Sequence, residues 1–144
     1  MIAVDTNILV YAHRREMPLH APSLTLLEHL INDSAPWAVP WPCLHEFIAV
    51  VTNPKIFKSP TPIARSFDAI ASFGQGNNLH FLAEDEGYLE VLRRIAGPAH
   101  LVGAKIHDAR IAALSIYHGV RELWSCDRDF SLFPELKVRN PALA

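Results

Sequence analysis

Cysteine is scarce in this chain: two in 144 residues, Cys43 and Cys126, far apart, each among apolar neighbours and with no CxxC pair. That excludes a disulfide framework or thiolate zinc site and predicts reduced thiols in a cytoplasmic protein. Long apolar runs are missing too, none approaching the roughly 20 residues a membrane span needs. No basic leader precedes the first apolar residues, and Asp5 interrupts them at once, so no secretory signal is expected. A basic excess is also absent. The net charge of −2 argues against a non-specific nucleic-acid coat, while leaving room for basic residues gathered on one rim. There is no GxSxG elbow and no phosphate-cradling glycine loop, because Gly74-Gln75-Gly76 follows a helical pattern rather than a strand. His45-Glu46 is followed by Ala49 where a metalloprotease helix needs its second histidine.

What is present reads as one globular α/β domain spanning 1–144, with half of the residues hydrophobic and no internal repeat, low-complexity tract or linker. Its organising stretch is Ile2-Ala3-Val4-Asp5-Thr6-Asn7-Ile8-Leu9-Val10-Tyr11-Ala12. A short apolar run, a polar triplet and a longer apolar run predict strand, turn and helix. Buried parallel strands are short continuous apolar runs, and α/β proteins place ligands at their carboxyl ends. Asp5 falls at that edge, where a carboxylate holds a metal ion or orients phosphate chemistry. The same triplet also reads as a helix N-cap.

Leucines at helical spacing predict a helix over Pro22 to Asp33, and Ala35 to Val39 suits a brief strand or an extended link. Pro42 opens a second helix through Val51, in which Leu44, Phe47, Ile48 and Val51 form the core stripe. Glu46 lies just off that stripe, where an unpaired charge is costly and a partner, such as a cation, is expected; an ordinary exposed helix glutamate is the alternative. Ile63 to Phe73 is amphipathic, with Ile63, Phe67, Ile70 and Ala71 on one face. Leu79 to Leu82 reads as a strand, and Glu84-Asp85-Glu86 precedes a helix that ends in Arg93-Arg94, charges that the helix dipole explains.

Lys105 to Gly119 is apolar nearly all round after its first turn, which predicts a central buried helix carrying Asp108 towards the sheet edge. First-turn aspartates also simply favour the helix dipole. Val120 to Trp124 is one more short strand and delivers Asp127 and Asp129 just past an apolar run, as the first unit delivers Asp5. Leu136-Lys137-Val138 is a candidate last strand. Arg14 with Arg15, and Lys55 with Lys58, are candidate contacts for a phosphate backbone, although solvated surface accounts for them equally.

Asp5, Glu46, Asp108 and Asp127, if they converge, repel one another unless protonated or bridged by a divalent cation. Oxygen donors without His or Cys favour Mg²⁺, with Mn²⁺ able to substitute. Such a pocket suits cleavage of phosphodiesters by water.

Val4-Asp5-Thr6-Asn7, Glu46 on its helix, His107-Asp108-Ala109-Arg110-Ile111-Ala112-Ala113 and Ser125-Cys126-Asp127-Arg128-Asp129-Phe130 together resemble the PIN-domain family, in particular the VapC toxins of bacterial type II toxin-antitoxin modules. The ordered set spans essentially the whole chain. The resemblance implies a three-layer PIN-like fold with a short central parallel sheet flanked by helices. It implies a magnesium-dependent endoribonuclease, usually a homodimer, inhibited by a cognate VapB-type antitoxin. By position, Asp5 and Asp108 would be the principal ligands and Glu46 and Asp127 would complete the quartet. Thr6 or Asn7 would orient Asp5, Ser125 stands where many relatives have threonine, and Asp129 would be supporting or structural. Two rival readings are a receiver-like regulatory domain and a catalytically silent binding module. The first wants adjacent acids after the first strand, where this chain has Ala3 and Val4; the second is opposed by the intact acids.

Overall fold

A computed structural model describes residues 1–141. In chain order the elements are β1 (Ile2–Val4), α1 (Thr6–His13), α2 (His20–Asn32), β2 (Trp37–Pro40), α3 (Trp41–Val51), α4 (Ile63–Phe73), β3 (Leu79–Leu82), α5 (Tyr88–Ala96), α6 (Ile106–Tyr117), β4 (Glu122–Trp124) and β5 (Val138–Arg139). The strands form one parallel sheet in the order β3-β2-β1-β4-β5. Helices flank it, giving the expected α/β architecture. Every residue of β2 and β4 is buried, as in parallel strands covered on both faces.

This order positions the site. The chain starts in the middle of the sheet, steps out to β2 and β3, then returns to the other side of β1 for β4 and β5. The neighbours β1 and β4 therefore flank a topological switch point, whose crevice lies at the strands' carboxyl ends. Val4 is in register with Trp124, and the Asp5 amide donates to the Trp124 carbonyl at 2.9 Å. Asp5 and the segment after β4 thus leave the sheet side by side.

The core is built from Ile8, Leu9, Leu27, Trp37, Phe47, Leu114, Leu123 and Phe130, all essentially inaccessible. Each such side chain contributes about 1.5–3 kcal/mol of transfer free energy. On α6, Ala109, Ala112 and Ala113 are fully buried, and these small residues let the helix run close against its neighbours. Gly119 closes α6 with a positive φ of 69°, as its sequence position predicts.

Several expectations need adjustment. A 3-10 turn at Gly103–Lys105 precedes α6, which starts at Ile106 rather than Lys105. The last strand is Val138–Arg139 rather than 136–138, because Leu136 turns into the core before pairing begins. The apolar face of α4 is largely turned outwards: Ile63 is 57% and Phe67 55% exposed, and only Ser66 and Phe73 of that helix are buried. Cys43 is fully buried, Cys126 only partly, and both are free thiols. Among the described residues no helix is long and apolar enough to cross a membrane.

Candidate active site

Asp5 occupies the first residue past β1 and is only 5% exposed. Its two sequence readings coexist. One carboxylate oxygen, Oδ1, accepts from the Thr6 amide at 2.8 Å, which caps α1, and from the Cys43 thiol at 3.4 Å. The other, Oδ2, accepts from the Ser125 hydroxyl at 2.7 Å. Burial raises the Asp5 pKa above its ordinary 3.8, and the hydrogen bonds from Ser125, Thr6 and Cys43 only partly oppose this. The same burial, with Asp5 beside it, pushes the Cys43 thiol well above its usual range, so it stays protonated and donates.

Ser125 also accepts from the Asp127 amide at 3.0 Å. One hydroxyl therefore ties the carboxylate after β1 to the backbone of the segment after β4. Next to it, the Asn7 side-chain oxygen accepts from the Cys126 amide at 3.2 Å. The Thr6 hydroxyl lies 2.9 Å from Glu46 Oε2 and donates to it. Of the two residues expected to orient Asp5, Thr6 does so through its backbone amide, while its hydroxyl and the Asn7 side chain bond elsewhere. Asp5 is fixed by Ser125 and the Thr6 backbone, while Thr6 positions Glu46 and Asn7 positions the turn that carries Asp127.

Asp108 sits in the first turn of α6, half-buried. Its pKa is raised, chiefly by burial and then by Asp127, with Asp129 and Glu46 adding to it and Lys105 opposing. Asp127 caps the following 3-10 turn by accepting from the Asp129 amide at 2.8 Å. Lys105, not among the site residues the sequence predicts, stands between the two segments. Its ammonium pairs with Asp129 Oδ2 and lies 3.8 Å from Asp108 Oδ2. The Lys105-to-Asp108 spacing of one helical turn was the available signal.

Asp5, Thr6, Asn7, Glu46, Asp108 and Asp127 line one cavity of about 240 Å³, floored by Val10, Tyr11, Val50, Phe57, Ile111 and Phe130. An adjoining cleft lined by Pro42, Glu46, His107, Asp108, Arg110 and Ile111 shares Glu46 and Asp108 with it. No His or Cys lines the first cavity, so its donors are hard oxygens suited to Mg²⁺ or Mn²⁺ rather than zinc. Among the described residues, no three acid, imidazole or thiol side chains close on a common point. The four carboxylates surround a shared space without meeting, and burial raises the Asp5 and Asp108 pKa values, with Asp127 adding to the rise at Asp108.

The basic candidates lie elsewhere. The Arg14 guanidinium stacks 4.2 Å over the Phe57 ring, donates to the Ser59 carbonyl and the Thr61 hydroxyl, and pairs with Glu16. It pins the 53–61 loop rather than facing solvent. Arg15, Lys55 and Lys58 are exposed and do not line the acidic cavity, towards which their loop presents Ile56 and Phe57.

The PIN domain family profile matches residues 2–136. This chain belongs to the PIN-domain family. Its curated relatives include "Ribonuclease VapC43" of Mycobacterium tuberculosis, to which this PIN domain is 36% identical over 141 residues, covering 98% of this chain and 95% of the relative. They also include "Ribonuclease VapC48" of the same species, 31% identical over 137 residues, covering 95% and 94%. Among solved structures, VapBC2 from Rickettsia felis bound to a promoter DNA fragment superimposes on this PIN domain with a TM-score of 0.70. The two are 19% identical, with 96% of this chain and 98% of that one covered. VapC20 of Mycobacterium tuberculosis, described as a sarcin-ricin loop cleaving toxin, gives a TM-score of 0.67 at 16% identity, covering 95% and 99%.

Proposed function

We propose that this PIN domain is the toxin of a type II toxin-antitoxin module, a cytoplasmic magnesium-dependent endoribonuclease that hydrolyses RNA phosphodiester bonds. One observation carries the reading: four carboxylates, from the end of β1, α3, α6 and the segment after β4, line a single cavity at the sheet's switch point. The adjoining cleft supports a polymeric substrate, since Glu46 and Asp108 face both spaces and a strand can run past them. The curated relatives named ribonucleases support it as well, as does a donor set made only of oxygen.

In this reading Asp5 and Asp108 hold the cation, with Glu46 and Asp127 completing the acidic wall. Bound there, Mg²⁺ supplies charge neutralisation at the phosphate and activation of water, so no side-chain nucleophile is needed. The chain's own residues do the rest. Ser125 and the Thr6 amide fix both oxygens of Asp5, which loses no rotamer freedom when it takes up a cation. Thr6 holds Glu46 at the wall, where its carboxylate can accept a proton from water. Phe57, Ile111 and Phe130 exclude bulk water from the floor, which strengthens every charge interaction above them.

Partners follow from the same reading: RNA as substrate, a VapB-type antitoxin as inhibitor, and a second copy of the chain in a homodimer. The outward-facing Ile63 and Phe67 of α4 offer apolar surface for such assembly. The test is cleavage of total RNA by purified protein with Mg²⁺, with EDTA, and with Asp5→Asn or Asp108→Asn, followed by sequencing of the new RNA ends. Cleavage only by the wild type with metal is expected. Equal cleavage by both variants would overturn the assignment.

A further inference from the structure

Asp129 has no place in the reading above, and it is the acid whose surroundings say most about its purpose. It does not line the acidic cavity. Its carboxylate instead engages the Lys105 ammonium, which lies only 3.8 Å from Asp108, an acid that does line the cavity. The two carboxylates compete for one cation of the chain's own. Lys105 sits on the 3-10 turn that leads into α6, one turn before Asp108, and its side chain is about half exposed. Asp129 is held in turn by its own amide, which donates to Asp127. Its anchor is therefore the same segment that carries the fourth wall acid.

We infer that Asp129 is a decoy partner, a positioning residue that draws the Lys105 ammonium off Asp108 and so keeps Asp108 available to a divalent cation. This deepens the proposed function, since it rests on Asp108 being a cation ligand. Without Asp129, Asp108 is the one carboxylate left within 4 Å of Lys105, which closes on it as an i, i+3 pair. The lysine then occupies the place at which the cation would bind.

General electrostatics alone makes a different forecast. Removing an acid weakens cation binding and removing a base strengthens it, each independently of the other. The decoy arrangement instead couples the two residues, because the harm done by losing Asp129 is transmitted through Lys105. A double-mutant cycle separates the alternatives. Mn²⁺ alone is titrated calorimetrically into the wild type, Asp129→Asn, Lys105→Ala and the double variant, without RNA. Asp129→Asn is expected to weaken Mn²⁺ binding about three- to fivefold, the upper range of one exposed ion pair formed in competition. In the Lys105→Ala background the same change should cost less than about twofold, for want of a lysine to misplace. Both residues are exposed, so melting temperatures of all four proteins should agree within about 2 °C, which sets apart a merely structural role. Equal effects of Asp129→Asn in the two backgrounds would overturn the decoy role while leaving the cation site standing. A wild type that binds no Mn²⁺ would overturn the cation site and the decoy role with it.

Discussion

Replacing Asp5 by Asn should make the cation-free protein more stable while removing its function. Asp5 is 5% exposed and its pKa is raised above 3.8, chiefly by burial, so ionising it costs the fold stability. Asn has the same shape, still accepts from the Thr6 amide or the Ser125 hydroxyl, and carries no charge to desolvate. Against that gain stands the loss of one charge-assisted hydrogen bond, because the Asn amide nitrogen cannot accept. The balance is a stabilisation on the order of 1–2 kcal/mol. For 144 residues that raises the melting temperature by about 3–8 °C. Mg²⁺ should reverse the ranking. At about a hundred times its Kd, a cation that binds only the folded wild type adds about 2.7 kcal/mol, and Asp5→Asn should gain almost none of it. Thermal melts of both proteins with EDTA and across a Mg²⁺ titration, alongside RNA cleavage, make the check. A variant less stable than wild type in EDTA, or one that keeps the full Mg²⁺ shift, would refute the reasoning that Asp5 is a strained acid awaiting a cation.

Ser125→Ala removes the hydroxyl shared by Asp5 and Asp127. It should cost about 1–3 kcal/mol in a denaturant melt and also weaken Mg²⁺ binding, whereas Ser125→Thr should restore both. The acid pair also predicts a pH profile. With folded pKa values of Asp5 and Asp108 above 3.8, the native chain binds more protons than the unfolded one between 3.8 and the raised values. Measured against an Asp5→Asn, Asp108→Asn double variant, cation-free wild-type stability should therefore fall as pH rises through that interval, and Mg²⁺ should flatten the decline; a difference that rises there with pH contradicts the assignment. Phe67→Lys should leave the melting temperature within about 2 °C, since the ring is 55% exposed, while reducing the assembled mass seen by light scattering. An unchanged mass would remove α4 from any interface.

Much of this molecule was legible in its sequence because parallel strands and their ligand-bearing ends leave a plain signature. Ile2–Val4 and the run ending at Trp124 are short, apolar and each followed by an acid, and the sheet places them side by side. The apolar surround of Asp108 likewise marked α6 as central. Periodicity failed at α4, where a regular apolar stripe says that a face must be covered but not by what; Ile63 and Phe67 face solvent in the single chain. Side-chain hydrogen bonds were hidden for a related reason. That Thr6 serves Glu46 while Ser125 serves Asp5 depends on distances between segments about 40 and 120 residues apart, which no local pattern encodes. Asn78 was missed in the same way: its amide donates to the carbonyls of Leu30, Asp33 and Ala35, tying the end of α2 to the entry of β2. Lys105 carries no mark in the sequence beyond its one-turn spacing from Asp108, which any surface lysine on a helix can show.

The carboxylates at the switch point are proposed to take up one hard cation together. Crystals soaked in Mn²⁺ and measured for anomalous scattering ask this directly. The expected peak lies between Asp5 and Asp108, with Glu46 or Asp127 turned towards it, and is missing from Asp108→Asn crystals. A peak away from these side chains, or no peak with Asp5 and Asp108 left apart, would contradict it.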